Sequence, residues 1–203
     1  MNLKATNITF SYNKKREILK DVSLSLKSKE IIGLMGDSGS GKSTLCKIIS
    51  GYIQNYSGEV TIDDKKIPDK DYYPVQLIFQ HPEKTMNPKW KMEKVLNESW
   101  TPSQDLKNTF GLKDSWLTRW PNELSGGELQ RFSILRALNP KTKFIIADEI
   151  STMLDAVTQV QIWEKLINHC KKNNIGILAV SHDEELLEVI CDDILQFNEI
   201  NNL

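Results

Sequence analysis

Gly36-Asp37-Ser38-Gly39-Ser40-Gly41-Lys42-Ser43-Thr44 is the stretch from which the rest of the chain can be read. It fits the phosphate-loop spacing G-x-x-x-x-G-K-[ST] from Gly36 through Gly41, Lys42 and Ser43. The run Glu30-Ile31-Ile32-Gly33-Leu34-Met35 before it predicts a strand, and Leu45, Ile48, Ile49 and Tyr52 after it recur at helical spacing. A strand, a glycine-rich turn and a helix start are what polyphosphate binding requires. The glycines let several backbone amides converge on an anion at a helix N-terminus. All nine residues from 36 to 44 are therefore expected around the phosphates, with Lys42 reaching the terminal ones and the Ser43 hydroxyl on Mg²⁺. A plain Gly/Ser turn would not need Lys and Ser in this register.

The 203 residues suit one domain, with room for an inserted subdomain. With 26 basic and 27 acidic residues the net charge is −1, and no basic block stands out, so nucleic acid is not an expected partner. Cys46, Cys170 and Cys191 are isolated and lack metal-type spacing, which reads as reduced thiols in an intracellular chain. The longest apolar runs, such as 144–147 and 177–180, are far short of the ~20 residues that cross a bilayer. Met1-Asn2-Leu3-Lys4 has no apolar signal-peptide core, so the chain is expected to be soluble.

Val22, Leu24 and Leu26 alternate with polar neighbours, as do Val60 and Ile62 ahead of the turn-like Asp63-Asp64. Val75–Phe79 reads as a further strand ending at Gln80. From 81 to 123 the character changes: four of the five tryptophans (Trp90, Trp100, Trp116, Trp120) lie there among prolines 82, 88, 102 and 121. That predicts a small helical subdomain rather than a linker. A helix over 127–138, stopped by Asn139-Pro140, precedes a buried strand 144–147 that ends on Asp148-Glu149. Val160, Trp163, Ile167 and Cys170 predict the buried face of the next helix. A second buried strand, 175–180, ends on Ser181-His182, and a last helix and a short strand around 194–197 follow. Alternating strands and helices predict a mostly parallel sheet, with ligands at the C-terminal strand ends, where Gln80, Asp148, Glu149 and His182 fall.

Residues 124–131, Leu-Ser-Gly-Gly-Glu-Leu-Gln-Arg, resemble the L-S-G-G-[QE] signature of the ATP-binding cassette (ABC) family. Alone, this is also an ordinary Ser N-cap with an acidic first turn. The same cap would offer Ser125 and the Gly126 and Gly127 amides to an anion. The resemblance extends over nearly the whole chain, with six motifs in the family's order. It implies an α/β fold, a P-loop NTPase (RecA-like) parallel-sheet core with a small antiparallel β subdomain over 1–80 and 124–203, and a helical subdomain over 81–123. Phe144–Asp148 would be its Walker B strand, with Asp148 anchoring Mg²⁺, commonly through water. Glu149 would be the general base for the attacking water, Gln80 the Q-loop glutamine touching Mg²⁺, and His182 the switch histidine on the γ-phosphate. Tyr12 would stack on adenine. In the D-loop, Ile150 and Met153 depart from the family's Pro and Ala, while Asp155 is retained. The resemblance further implies two cassettes sandwiching two ATP molecules head to tail, so that Ser125–Gly127 serve the partner's nucleotide.

Phe79-Gln80-His81-Pro82, Asn87-Pro88 and Pro121-Asn122-Glu123-Leu124 resemble the oligopeptide, dipeptide and nickel importers, and 146–151 with Gln159 and Gln161 resemble their nickel and metallophore members. That implies a peripheral subunit on the cytoplasmic face of the inner membrane. Its partners would be a second ABC ATPase (heterodimer favoured, homodimer possible), two membrane permeases and, indirectly, a solute-binding protein. The cargo would be nickel, a metal–metallophore complex or peptide. The family's larger peptide-transport ATPases carry a C-terminal extension that this sequence lacks. Two other readings are a soluble ABC ATPase working on ribosomes or DNA and a binding-only cassette beside an active one. The former usually carry two cassettes or a long coiled coil; the latter would not need Lys42, Asp148, Glu149 and His182 together.

Overall fold

β3 (Ile31–Met35) lies near one side of a five-stranded parallel sheet, between strands that come from the last quarter of the chain. The computed structural model describes residues 1–12, 16–68, 72–152 and 154–203. In chain order its strands are β1 (Asn2–Phe10), β2 (Leu19–Lys27), β3, β4 (Ser57–Ile62), β5 (Lys65–Lys66), β6 (Val75–Ile78), β7 (Phe144–Asp148), β8 (Gly176–Val180) and β9 (Asp193–Gln196). Its helices are α1 (Lys42–Ile49), α2 (Met92–Leu96), α3 (Gln104–Thr109), α4 (Asp114–Leu117), α5 (Gly126–Ala137), α6 (Ala156–Lys172), α7 (Glu184–Ile190) and α8 (Phe197–Ile200).

The parallel sheet runs β6-β7-β8-β3-β9, and a separate antiparallel sheet runs β2-β1-β4-β5. Every residue of β7 and β8 is buried, which is why these strands read as unbroken apolar runs rather than as alternation. The two faces of the parallel sheet feed different cores. Ile31, Ile78, Ile145, Ala147, Ile177 and Ala179 pack with α5, α6 and the 92–116 helices. Their alternates Ile32, Leu34, Leu77, Ile146, Leu178 and Val180 pack with α1 and the inner face of the antiparallel sheet. α1 is thus sandwiched between the sheets, with Leu45, Cys46, Ile48 and Ile49 buried. This fixes the loop that precedes it.

Three details differ from the sequence reading, two because a pattern was followed past the end of its element and one because the buried face of a helix is turned away from the residue that seemed to start it. α1 stops at Ile49, so Tyr52 is 62 % exposed and rests edge-on against Phe79 at 5.2 Å instead of joining the buried stripe. On α6 the buried residues are Ile162, Trp163, Leu166 and Cys170, whereas Val160 is exposed. β9 ends at Gln196, and Phe197 opens α8 with its ring fully buried. Met153 lies outside the described residues.

Between 81 and 123 the chain forms two 3-10 turns and the short helices α2, α3 and α4. Trp116 is buried here, Trp90 and Trp100 pack partly against the same core, and Trp120 stays exposed. Lysine ammonium groups sit over three of these rings: Lys94 on Trp90 at 4.1 Å, Lys91 on Trp120 at 5.1 Å and Lys113 on Trp116 at 5.5 Å. Among the described residues, no helix is long and apolar enough to cross a membrane.

Trp163 ties α6 to the segment that follows β7, because its indole N–H donates to Ser151 Oγ at 3.2 Å. Its ring is 2 % exposed. Trp163→Ala is expected to lower unfolding stability by about 3–5 kcal/mol in urea titrations followed by circular dichroism. A cost below about 1 kcal/mol would mean that the site collapses freely and that α6 is not anchored there.

Candidate functional site

The loop from Gly36 to Gly41 leaves the C-terminal end of β3 and enters α1, at the strand ends where open α/β sheets hold ligands. Gly39 and Gly41 have φ of 78° and 116°, a backbone region that side chains make costly. Lys42 is 5 % exposed, and its Nζ donates to the carbonyls of Gly36 at 2.6 Å and Asp37 at 2.7 Å. The lysine therefore holds the loop in a curve around its own ammonium. Ser40 Oγ is buried in the loop without a hydrogen-bond partner among the described residues, and Asp37, Ser38, Gly39 and Ser43 are exposed. An anion that supplies oxygens to these amides and to Ser40 would complete the set.

Asp148 closes β7 beside this loop, 6 % exposed. Burial pushes its carboxyl pKa above the ordinary value; a hydrogen bond from Ser43 works in the opposite direction, and the neighbouring Glu149 charge raises it further. A cation next to Ser43 and Asp148 would relieve this. The donors also suit Mg²⁺, which takes one or two protein oxygens and completes its shell with water and phosphate oxygens. Among the described residues no group of three or more His, Cys, Asp or Glu could hold a metal on its own, so no all-protein cage competes with that arrangement.

Glu149 sits at φ 48°, a left-handed conformation that a non-glycine residue rarely adopts, and its N–H is pinned to Val180 O at 2.9 Å. Its carboxylate is gripped from two sides. Gln80 Nε2 donates to Oε2 at 2.6 Å, and His182 Nδ1 lies 3.4 Å from Oε1. These three residues come from the ends of β6, β7 and β8, adjacent strands in the sheet. Gln80 thus meets Glu149 directly, a contact 69 positions apart in sequence that no motif spacing reveals.

Tyr12 is 62 % exposed; its ring stands edge-on to Phe10 at 4.8 Å, and its hydroxyl is 3.3 Å from Thr44 Oγ1. Ser125 caps α5 in a reciprocal box, accepting from Glu128 N at 3.3 Å while Glu128 accepts from Ser125 N at 2.8 Å. No hydrogen bond among the described residues joins 125–127 to the loop 36–44. Gly127 instead abuts the segment after β7: a Cβ there would lie 2.9 Å from Leu154 Cδ2. Asp155 caps α6, accepting from Thr158 N at 3.0 Å.

Residues 19–152 match the ABC transporter family. The chain belongs to that family. It is an ATPase of the cassette type, and the α/β fold expected from the sequence is the one found. It is similar to the nickel import system ATP-binding protein NikE of Staphylococcus aureus, at 32 % identity over 202 residues, covering 93 % of this chain and 83 % of that protein, in several strains. Among solved structures, an ATP-binding subunit of an ABC transporter superposes with a TM-score of 0.82 at 22 % identity, over 97 % of this chain and 85 % of that one. The dimeric cassette MJ0796, in a post-hydrolysis state bound to ADP and Pi, superposes with a TM-score of 0.80 at 26 % identity, over 96 % and 93 %.

The thiols stand apart from this chemistry. Burial pushes Cys170 and Cys191 up to about 12, with Asp192 adding to the second, and it raises Cys46 behind the loop well above its ordinary value. Burial favours the neutral thiol, so the reactive thiolate is scarce at neutral pH and grows only as pH rises. At pH 8, all three cysteines of the native chain are expected to react with a disulfide reagent about a hundredfold or more slower than in concentrated urea. One rapidly titrating thiol in native buffer would contradict this packing.

Proposed function

We propose that the chain is the ATP-hydrolysing subunit of a multi-component importer for nickel, taken up as the ion or in a metallophore complex. The arrangement of Glu149 between Gln80 and His182 beside the phosphate loop carries the hydrolytic part of this reading. The likeness to the nickel import ATP-binding protein supports the transport part.

The reaction is phosphoryl transfer from ATP to water. The amides of 38–44 and the Lys42 ammonium cradle the phosphates, with Lys42 exchanging its carbonyl partners for phosphate oxygens. Tyr12 offers its exposed face to the adenine. Ser43 and Asp148, with Gln80 nearby, hold Mg²⁺, which neutralises charge on the phosphate oxygens when bound. Glu149 receives the proton of the attacking water or orients that water, and Gln80 and His182 keep its carboxylate turned toward the phosphate end. His182 is placed to meet the γ-phosphate.

Ser125, Gly126 and Gly127 serve a nucleotide held by a second cassette, a reading supported by the exposure of Ser125 and by the lack, among the described residues, of any hydrogen bond from 125–127 to the loop 36–44. ATP then bridges two chains, closing them on binding and releasing them on hydrolysis. The branch favours a sister ATPase over a second copy. Residues 81–123 form the subdomain on which two membrane permeases press, with the chain peripheral on the cytoplasmic face and a solute-binding protein supplying cargo from the other side.

Glu149→Gln is expected to retain ATP binding, to accumulate as a closed pair in size-exclusion chromatography and to release phosphate about a hundredfold or more slowly. Near-normal phosphate release would remove Glu149 from the role of base. Lys42→Ala is expected to abolish binding of a fluorescent ATP analogue; unchanged binding would take the phosphate site away from the loop.

A further inference from the structure

Both ends of the phosphate loop rest on one short segment, 197–201, that no sequence motif marks. At the first end, a Cβ on Gly36 would lie 2.9 Å from Cβ of Phe197, so the loop starts in direct contact with that fully buried residue. At the other end, a Cβ on Gly41 would lie 3.0 Å from the Ile18 carbonyl oxygen and 3.2 Å from Ile18 Cγ2 and Leu19 Cδ2. Ile18 and Leu19 are thus the wall behind the glycine at which α1 begins.

Asn201 holds that wall. Its Nδ2 donates to Ile18 O at 3.2 Å, and its Oδ1 accepts from Lys20 N at 2.9 Å. The bonds span 183 and 181 positions in sequence, and the residue is only 9 % exposed. Asn201 N bonds Phe197 O at 3.0 Å, and Asn202 N bonds Lys20 O at 3.1 Å, so the two contacts belong to one rigid turn. The side chain serves both partners at once: an amide N–H donates to the carbonyl of Ile18 and the amide oxygen accepts from the N–H of Lys20, where the chain enters β2.

We infer that Asn201 is a positioning residue for nucleotide binding, setting the curvature of the phosphate loop by clamping Ile18 behind Gly41 while Phe197 braces Gly36. Through these contacts the loop keeps its amides converged before any phosphate arrives, so the anion does not have to order them. The inference rests on the nucleotide reading of the loop given above.

The test is binding of a fluorescent ATP analogue (mant-ATP) with Mg²⁺ to the full chain, alongside thermal unfolding. Asn201→Ala is expected to weaken binding about tenfold, the scale of one to two lost hydrogen bonds. Asn201→Asp preserves volume and the acceptor for Lys20 N but sets an oxygen against the Ile18 carbonyl, and it is expected to weaken binding at least as much. Leu112→Ala, buried in the other core among the 81–123 helices and outside the 197–201 segment, serves as the measure of simple destabilisation: it is expected to lower the unfolding temperature and keep the dissociation constant within about twofold. The inference is overturned if both Asn201 variants bind within twofold of the unaltered chain, or if Leu112→Ala loses as much affinity as they do. If the unaltered chain itself fails to bind mant-ATP, the nucleotide reading fails instead, and the two failures are told apart by that control.

Discussion

The ammonium of Lys42, donating to the carbonyls of both Gly36 and Asp37 from a nearly buried position, organises the nucleotide end of the molecule. A buried cation with two carbonyls and, among the described residues, no carboxylate in ion-pair contact is held in a place where negative charge is welcome. The loop can wrap it because Gly39 and Gly41 accept left-handed backbone, and α1 can start there because its apolar face is gripped between two sheets. The fold's largest cores therefore serve a small purpose, which is to hold nine residues in a curve that would not persist alone.

Opposite this positive pocket the chain gathers negative groups. Asp148 is pushed toward its neutral form by burial, and Glu149 adds to that push while being held in a strained backbone by β8. A buried carboxyl beside a second carboxylate is a place where a bound cation would be favoured. Gln80 and His182 are the means by which the adjacent strand ends keep Glu149 in one orientation.

What could be read from the sequence was what is written locally. The phosphate loop, the buried runs ending at Asp148 and Val180, and the cap at Ser125 each rest on neighbours within a few positions. Contacts that join remote positions left no trace: Gln80 to Glu149, Trp163 to the segment after β7, and Asn201 to Ile18 arise only when the sheet is assembled. Where the pattern misled, at Tyr52, Val160 and Phe197, an apolar side chain kept the expected spacing beyond the point where the element ended or turned away from the core. The left-handed φ of Glu149 was equally invisible, since nothing but its anchoring to Val180 O demands it.

The most direct measurement is the backbone amide spectrum of the ¹⁵N-labelled chain as Mg²⁺-ATP is added. If the loop is the phosphate cradle, the N–H signals of Gly39, Gly41, Lys42 and Ser43 move first and furthest, and inorganic triphosphate reproduces much of that movement. Signals that stay in place at these four residues while another part of the chain responds to ATP would contradict the account.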